Sequence, residues 1–278
     1  MDIQAFLDKI PTIFPGDPQD TDPIDPYWED LKADVTGFSS GNELAMLQLA
    51  ASLLPDDEAY LEIGTFKGRS MCGAVRDNAD KRFYAMENFL EFGMAGQEAR
   101  AELMANLEKY SKGATVELLE GDCFKLMLQP GIIDRPVGVY FYDGDHAKSA
   151  HYLSLAIVEP LLADEALILV DDATWPVVQE AHEAYIARNP EWSLIATWDA
   201  RFDDDPRWSN GMHALAFKRT EPSTISLRDK MILRYQLNVQ QPINRWGWKL
   251  GAKFPKPMKF LARVLRSGSH TVESTDSK

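Results

Sequence analysis

A chain of 278 residues, 45% hydrophobic and 26% charged, is long enough to bury one large core and still carry appendages, so one principal domain is expected rather than two equal ones. No window reaches the roughly 18 apolar residues of a membrane span, the chain begins Met1-Asp2 without a basic secretory segment, and Cys72 and Cys123 are no disulfide framework, which together predict a soluble, cytoplasmic protein. The formal charge of −14 is uneven: residues 228–266 carry ten Lys/Arg against Asp229 alone, +9, which leaves −23 elsewhere, a body that repels polyphosphate and excludes nucleic acid as its substrate.

Residues 1–38 read as an N-terminal arm, with 11–37 rich in Pro and Asp (Pro11, Pro15, Pro18, Pro23, Pro26) and without helical or strand periodicity, hence irregular. Ser39 and Ser40 then precede an apolar-periodic run, Leu44, Met46, Leu47, Leu49, Ala50 and Leu53, which predicts a capped helix ending near Pro55. Strands are expected at Tyr60–Ile63, Arg82–Met86, Thr115–Leu119, Val137–Tyr142 and Ala166–Val170, separated by helix-length segments that imply βαβ crossovers. Two more, Ser193–Trp198 and His213–Phe217, are joined only by a turn-rich stretch containing Asp203-Asp204-Asp205-Pro206 and Asn210-Gly211, and should form an antiparallel hairpin at the sheet edge. The expected fold over 39–220 is a doubly wound α/β domain with a mainly parallel seven-stranded sheet and an antiparallel last strand. A basic helical extension over 221–266 and a disordered Ser/Thr-rich tail over 267–278 follow.

In such a sheet the ligand lies beyond the carboxyl ends of the strands, so the turns there carry the chemistry. The first is Glu62-Ile63-Gly64-Thr65-Phe66-Lys67-Gly68-Arg69-Ser70, whose G-x-x-x-G spacing permits a tight turn close to a ligand but lacks the dinucleotide fingerprint G-x-G-x-x-G. Glu87, 23 residues after Gly64, ends the second strand where a carboxylate can accept both ribose hydroxyls of a nucleoside. With Glu62 beside it and Asp122 after the third strand, the rim is acidic, opposing a pyrophosphate but suiting a sulfonium and an ammonium; S-adenosylmethionine (SAM) carries both cations and no phosphate.

The run Leu61-Glu62-Ile63-Gly64 through Gly68-Arg69-Ser70, followed by Ala85-Met86-Glu87, resembles the first two motifs of class I SAM-dependent methyltransferases. It is particularly similar to the catechol and caffeoyl-coenzyme A O-methyltransferase branch and to bacterial antibiotic-tailoring and sugar O-methyltransferases. The resemblance covers roughly residues 40–218 and implies a Rossmann-like fold. Glu62, Gly64, Thr65, Gly68, Ser70, Glu87, Asp122 and Asp143 are then the expected SAM contacts.

After the fourth strand comes Asp143-Gly144-Asp145-His146 and after the fifth Asp171-Asp172-Ala173-Thr174-Trp175, two turns rich in carboxylates. If the strands are neighbours, as the resemblance implies, Asp143 and the Asp171/Asp172 pair can share one cation, and an all-oxygen set selects Mg²⁺, Mn²⁺ or Ca²⁺ over zinc. The plainer alternative is that these acids cap helices. In the metal-dependent relatives the ligands match Asp143, Asp171 and Asp172. The sugar-modifying members place a general base at the position of His146, whereas catechol-type enzymes use a nearby lysine, for which Lys148 stands here. His151, His182 and His213, the last at the start of an edge strand, read as structural; Trp175, Trp198 and Trp208 read either as walls of a substrate cleft or as core.

The resemblance thus implies metal-assisted methylation of a hydroxyl on a small polyhydroxylated acceptor, by a homo-oligomer. Metal-independent transfer and a non-catalytic SAM-binding scaffold are the alternatives. The basic extension shows helical spacing in Ile225, Met231, Ile232 and Tyr235 and again in Met258, Leu261, Val264 and Leu265, with Trp246 and Trp248 between. It suits either a helix lying peripherally on an anionic membrane or an arm packing on the acidic body.

Overall fold

The strand segments are apolar enough to be buried on both faces, and a sheet so enclosed must be covered by helices on each side. In the computed structural model, which describes residues 1–90, 94–243 and 246, β1 (Ala59–Ile63) and β4 (Val137–Tyr142) are buried at every position. They form the centre of one seven-stranded sheet with β2 (Arg82–Glu87), β3 (Thr115–Glu120), β5 (Leu162–Val170), β6 (Trp192–Trp198) and β7 (Met212–Lys218), in the order β3-β2-β1-β4-β5-β7-β6. The first five strands pair in parallel, while β7 runs antiparallel to both β5 and β6. The order reverses between β1 and β4, which puts the ligand crevice at their carboxyl ends. The expected strands thus form, with one correction: β7 inserts between β5 and β6, so His213 is interior and β6, half-exposed along its length, is the edge.

One face of the sheet, with Tyr60, Phe83, Ala85, Val139, Phe141, Leu167 and Leu169, shares a core with α3 (Gly41–Ser52), α4 (Arg69–Ala74) and α5 (Met94–Tyr110). The other carries α6 (Cys123–Met127), α7 (Lys148–Val158) and α8 (Pro176–Ile186), with the Tyr142 ring meeting His151 of α7 edge-on. Helix α3 starts where the serines predict: Ser40 Oγ accepts the Glu43 N–H and the Glu43 carboxylate accepts the Ser40 N–H, a complete capping box.

The segment read as irregular contains helices, and the reason lies in α3. That helix is apolar nearly all round, and a helix of this kind must be covered on its outer side as well. The cover is α1 (Ile3–Ile13), with Ile3, Phe6 and Ile10 buried, and α2 (Tyr27–Asp34), with Trp28 and Leu31 buried. Asp2 caps α1 by accepting the Ala5 N–H, and Pro26 stands at the N-cap of α2, where a missing N–H costs nothing. Of the prolines behind the irregular reading, Pro15 follows α1 and Pro26 precedes α2, Pro18 and Pro23 lie in the segment between them, and Pro11 sits inside α1.

Met1–Lys230 forms one unit and Met231 opens a second. In the second, the end of α9 (Leu227–Tyr235) exposes Met231 and Tyr235 and buries Leu233, a π-helical turn follows over Gln236–Gln240, and Trp246 beyond it is exposed. Trp248, Met258, Leu261, Val264, Leu265 and the tail from 267 lie outside the described residues. Among the described residues no helix is long and apolar enough to cross a membrane.

Candidate active site

The crevice floor is set by backbone crowding. Gly64 has φ +87°, and a Cβ there would sit 1.7 Å from the carbonyl oxygen of Asp143, so the glycine is required by the end of β4. Gly68, also at φ +87°, is the N-cap of α4, and a Cβ there would meet Leu103 Cδ1 at 2.6 Å. Both expected ligand-approach glycines therefore answer first to packing within the chain.

Glu62 departs from the acidic rim expected of it. It is fully buried beneath the loop, accepting Ser70 Oγ at 2.8 Å and Tyr60 Oη at 3.0 Å, and burial pushes its carboxyl up to about 7 despite those donors. Glu62 and Ser70 thus brace the turn from below, with Thr65 buried in the turn itself. Glu87 does reach the crevice mouth, half-buried, where it accepts the N–H groups of Phe66 at 2.9 Å, Asn88 at 2.6 Å and Phe89 at 2.8 Å. Its carboxylate ties the glycine turn to the end of β2. Asp122 is the N-cap of α6, its Oδ1 accepting the Lys125 N–H at 3.2 Å.

Across the crevice, the ends of β4 and β5 bring three donors together: one atom each from Asp143, His146 and Asp172, all within 4.8 Å of one another. Adjacency follows from the β4–β5 ladder, which pairs Tyr142 with Val170 and continues through Asp171 N–H to Tyr142 O at 3.0 Å. His146 Nε2 lies 2.8 Å from Asp172 Oδ2. Asp172 adopts φ +58°, and its other oxygen, Oδ1, accepts Asn210 Nδ2 at 2.9 Å. Burial would raise the Asp172 carboxyl, but His146 and Asn210 hold it below the usual range. Asp143 is pushed well up by burial and by the neighbouring Asp172, with Glu43 and Glu62 adding to it.

Asp171 stands outside this trio. Its Oδ1 accepts the Asp172 N–H at 2.8 Å, and burial together with Glu43 raises it well above a normal carboxylate. The expected all-oxygen set of Asp143, Asp171 and Asp172 is thus, in the geometry, two carboxylates and an imidazole. Lys148, the alternative base, opens α7 in an exposed ion pair with Glu180. Trp175 stands edge-on to the His146 ring at 5.0 Å and walls the site, while Trp198 and Trp208 stack on each other at 5.2 Å inside the core. His151, His182 and His213 are buried, the last two joined Nδ1 to Nδ1 at 2.9 Å.

Two site residues escaped the sequence reading. Glu43 is legible as a helix cap, but its burial beside the strand-end acids, which pushes its carboxyl up to about 7, depends on α3 lying over the crevice. Asn210 sits in an Asn-Gly pair that signals a turn and gives no hint of its long-range partner.

Residues 61–173 match a family profile described as a methyltransferase domain. No curated protein matches the chain. Among solved structures, the O-methyltransferase from Bacillus cereus, in complex with SAH, is 19% identical and superposes with a TM-score of 0.54 over 70% of this chain and 92% of its own. TomG from Streptomyces achromogenes, an O-methyltransferase involved in tomaymycin synthesis, in complex with SAM, is 20% identical, with a TM-score of 0.51 over 70% and 90%. The SAH-bound methyltransferase PaMTH1 of Podospora anserina is 16% identical, with a TM-score of 0.50 over 79% and 98%. At these identities the likeness is one of fold.

Proposed function

We propose, for a chain whose residues 61–173 match a methyltransferase-domain profile and whose fold is that of solved O-methyltransferases, transfer of the methyl group of SAM to a hydroxyl of a small polyhydroxylated acceptor, a sugar or natural-product glycoside, assisted by a divalent cation. The observation that carries this reading is the convergence of Asp143, His146 and Asp172 at the ends of β4 and β5. The donor set fits a cation: burial, with the neighbouring Asp172 adding to it, drives Asp143 toward its neutral form, an electrostatic cost that a bound cation relieves. Asp143 and Asp172 would hold it, and the nearby imidazole makes Mn²⁺ a good occupant alongside Mg²⁺. When bound, the cation supplies Lewis acidity that eases deprotonation of the acceptor.

The chain's own residues divide the remaining work. Glu87 would accept the ribose hydroxyls of SAM on the β1–β2 side. Because Nε2 of His146 donates to Asp172, the lone pair of the neutral imidazole is on Nδ1, and Asp172 stabilises the imidazolium that forms as Nδ1 takes the acceptor's proton. The deprotonated oxygen then bonds to the methyl carbon as the carbon–sulfur bond breaks, its electrons staying on sulfur. Trp175 offers a flat wall for a ring-shaped acceptor.

The Asp172–His146 pair also supports a second reading, in which the same base acts without a metal. Calorimetric titration of SAM into the wild type and Glu87→Ala, followed by transfer assays on a panel of glycosides with Mg²⁺ or with chelator, separates these. The metal-assisted reading expects SAM affinity to fall at least tenfold in Glu87→Ala and transfer to stop with chelator and in Asp143→Ala. Transfer that survives chelation while Asp172→Ala and His146→Ala abolish it selects the second reading; absence of SAM binding by the wild type sinks both.

A further inference from the structure

We infer that Asn210, on the loop between β6 and β7, is a positioning residue that sets which oxygen of Asp172 faces the cation site; this rests on the metal-assisted reading above. The two Asp172 oxygens have separate partners, Asn210 Nδ2 on Oδ1 at 2.9 Å and His146 Nε2 on Oδ2 at 2.8 Å. Without the amide, the carboxylate can turn about its last bond and bring either oxygen toward Asp143. With it, Oδ1 is occupied and Oδ2 stays on the side of His146, a member of the trio. The amide is itself oriented at both ends, since its Oδ1 accepts the Asp204 N–H at 3.3 Å.

The backbone around this contact is built for it. Asp172 takes a left-handed conformation at φ +58°, and the turn that follows it pairs with the Asn210 turn through Thr174 N–H to Asn210 O at 2.9 Å and Ala173 N–H to Gly211 O at 3.0 Å. Gly211, at φ +91°, lets the two turns meet: a Cβ there would lie 2.2 Å from Thr174 Oγ1. The loop is in turn held by the N-terminal arm. Trp208 Nε1 donates to Pro18 O at 3.0 Å, Arg207 Nε to Asp22 Oδ1 at 2.9 Å, and Gln19 and Asp199 exchange two hydrogen bonds at 2.7 and 3.0 Å. Asn210 thus acts on Asp172 from a support anchored on a different part of the chain.

The test is Mn²⁺ binding to the full chain, read from the electron paramagnetic resonance signal of free Mn²⁺, for the wild type, Asn210→Ala and Asn210→Gln, with SAH affinity by calorimetry and thermal unfolding alongside. Loss of a partner that orients a metal-ligating carboxylate should weaken Mn²⁺ roughly ten- to hundredfold in Asn210→Ala, with SAH affinity within twofold of wild type and part of the Mn²⁺ affinity returned by Asn210→Gln, which keeps an amide donor. Wild-type binding of Mn²⁺ with an unchanged Asn210→Ala overturns this inference and leaves the metal-assisted reading standing. Parallel loss of Mn²⁺ and SAH affinity in both variants, with lowered unfolding temperatures, assigns the contact a structural role and also overturns it. No Mn²⁺ binding by the wild type overturns the metal-assisted reading and the inference together.

Discussion

The two sides of the crevice arrange their carboxylates differently. Beside β1 and β2 the chain supplies the donors itself: Glu87 receives three backbone N–H groups and Glu62 receives two hydroxyls. Beside β4 and β5, His146 and Asn210 hold Asp172 low, while burial, with the neighbouring acids adding to it, drives Asp143 and Asp171 toward their neutral forms. A carboxylate already furnished with donors organises a turn that can hold a neutral or hydroxylated ligand. Two carboxylates gathered with an imidazole at neighbouring strand ends suit a cation.

The sharpest way to break the contrast is at the point where the two sides touch. Gly64→Ala places a methyl 1.7 Å from Asp143 O at a positive φ, so turn and strand end must part; we expect a loss of about 4 kcal/mol or more, the range reserved for severe lesions, seen in urea unfolding as little or no folded protein. A smaller, pH-dependent effect belongs to the side rich in donors. The folded-state carboxyl of Glu62 is raised to about 7 from 4.5, so its stabilising contribution is complete below pH 4.5 and is lost as pH rises through 7. Glu62→Gln should therefore match or trail the wild type at pH 4.5 and gain on it by up to about 3 kcal/mol by pH 8, measured as the difference in unfolding free energy across that range. A pH-independent difference would mean that Glu62 stays charged in the fold and that its hydroxyl donors outweigh its burial. Smallest of all is Lys148→Ala: an exposed ion pair contributes less than about 1 kcal/mol, and with His146 as the base the turnover should stay within twofold of wild type. A collapse of turnover in that variant would move the proton acceptor from His146 to Lys148.

The sheet was legible because its signal is local. Continuous apolar runs such as Val137–Tyr142 announce enclosed strands, and the turns after them carry their acids in plain order. The arm was misread because its helices are short and bounded by prolines, and because their reason for forming is an apolar α3 that needs covering. At the site, residue types and strand ends were readable, but side-chain direction was not. That Asp172, not Asp171, meets His146 goes with a left-handed backbone angle at Asp172 and with Asn210, 38 residues further along. Likewise Glu62 has a motif position that suggests a ligand contact, yet its own Ser70 and Tyr60 claim it.

The stitching of the arm to the β6–β7 loop has a consequence for the order in which the molecule is completed. Pro18 and Trp208 are 190 positions apart, and Gln19 and Asp199 are 180 apart. Closing so long a loop adds little to the equilibrium cost, about 0.6 kcal/mol for each doubling of length, but contacts this distant in sequence form slowly. The arm, made well before this loop, therefore waits for the β6–β7 pair before its polar groups find their partners. A nascent chain that ends before Asn210 holds every acid of the crevice and lacks the amide beside Asp172, so the site is finished late and as a whole.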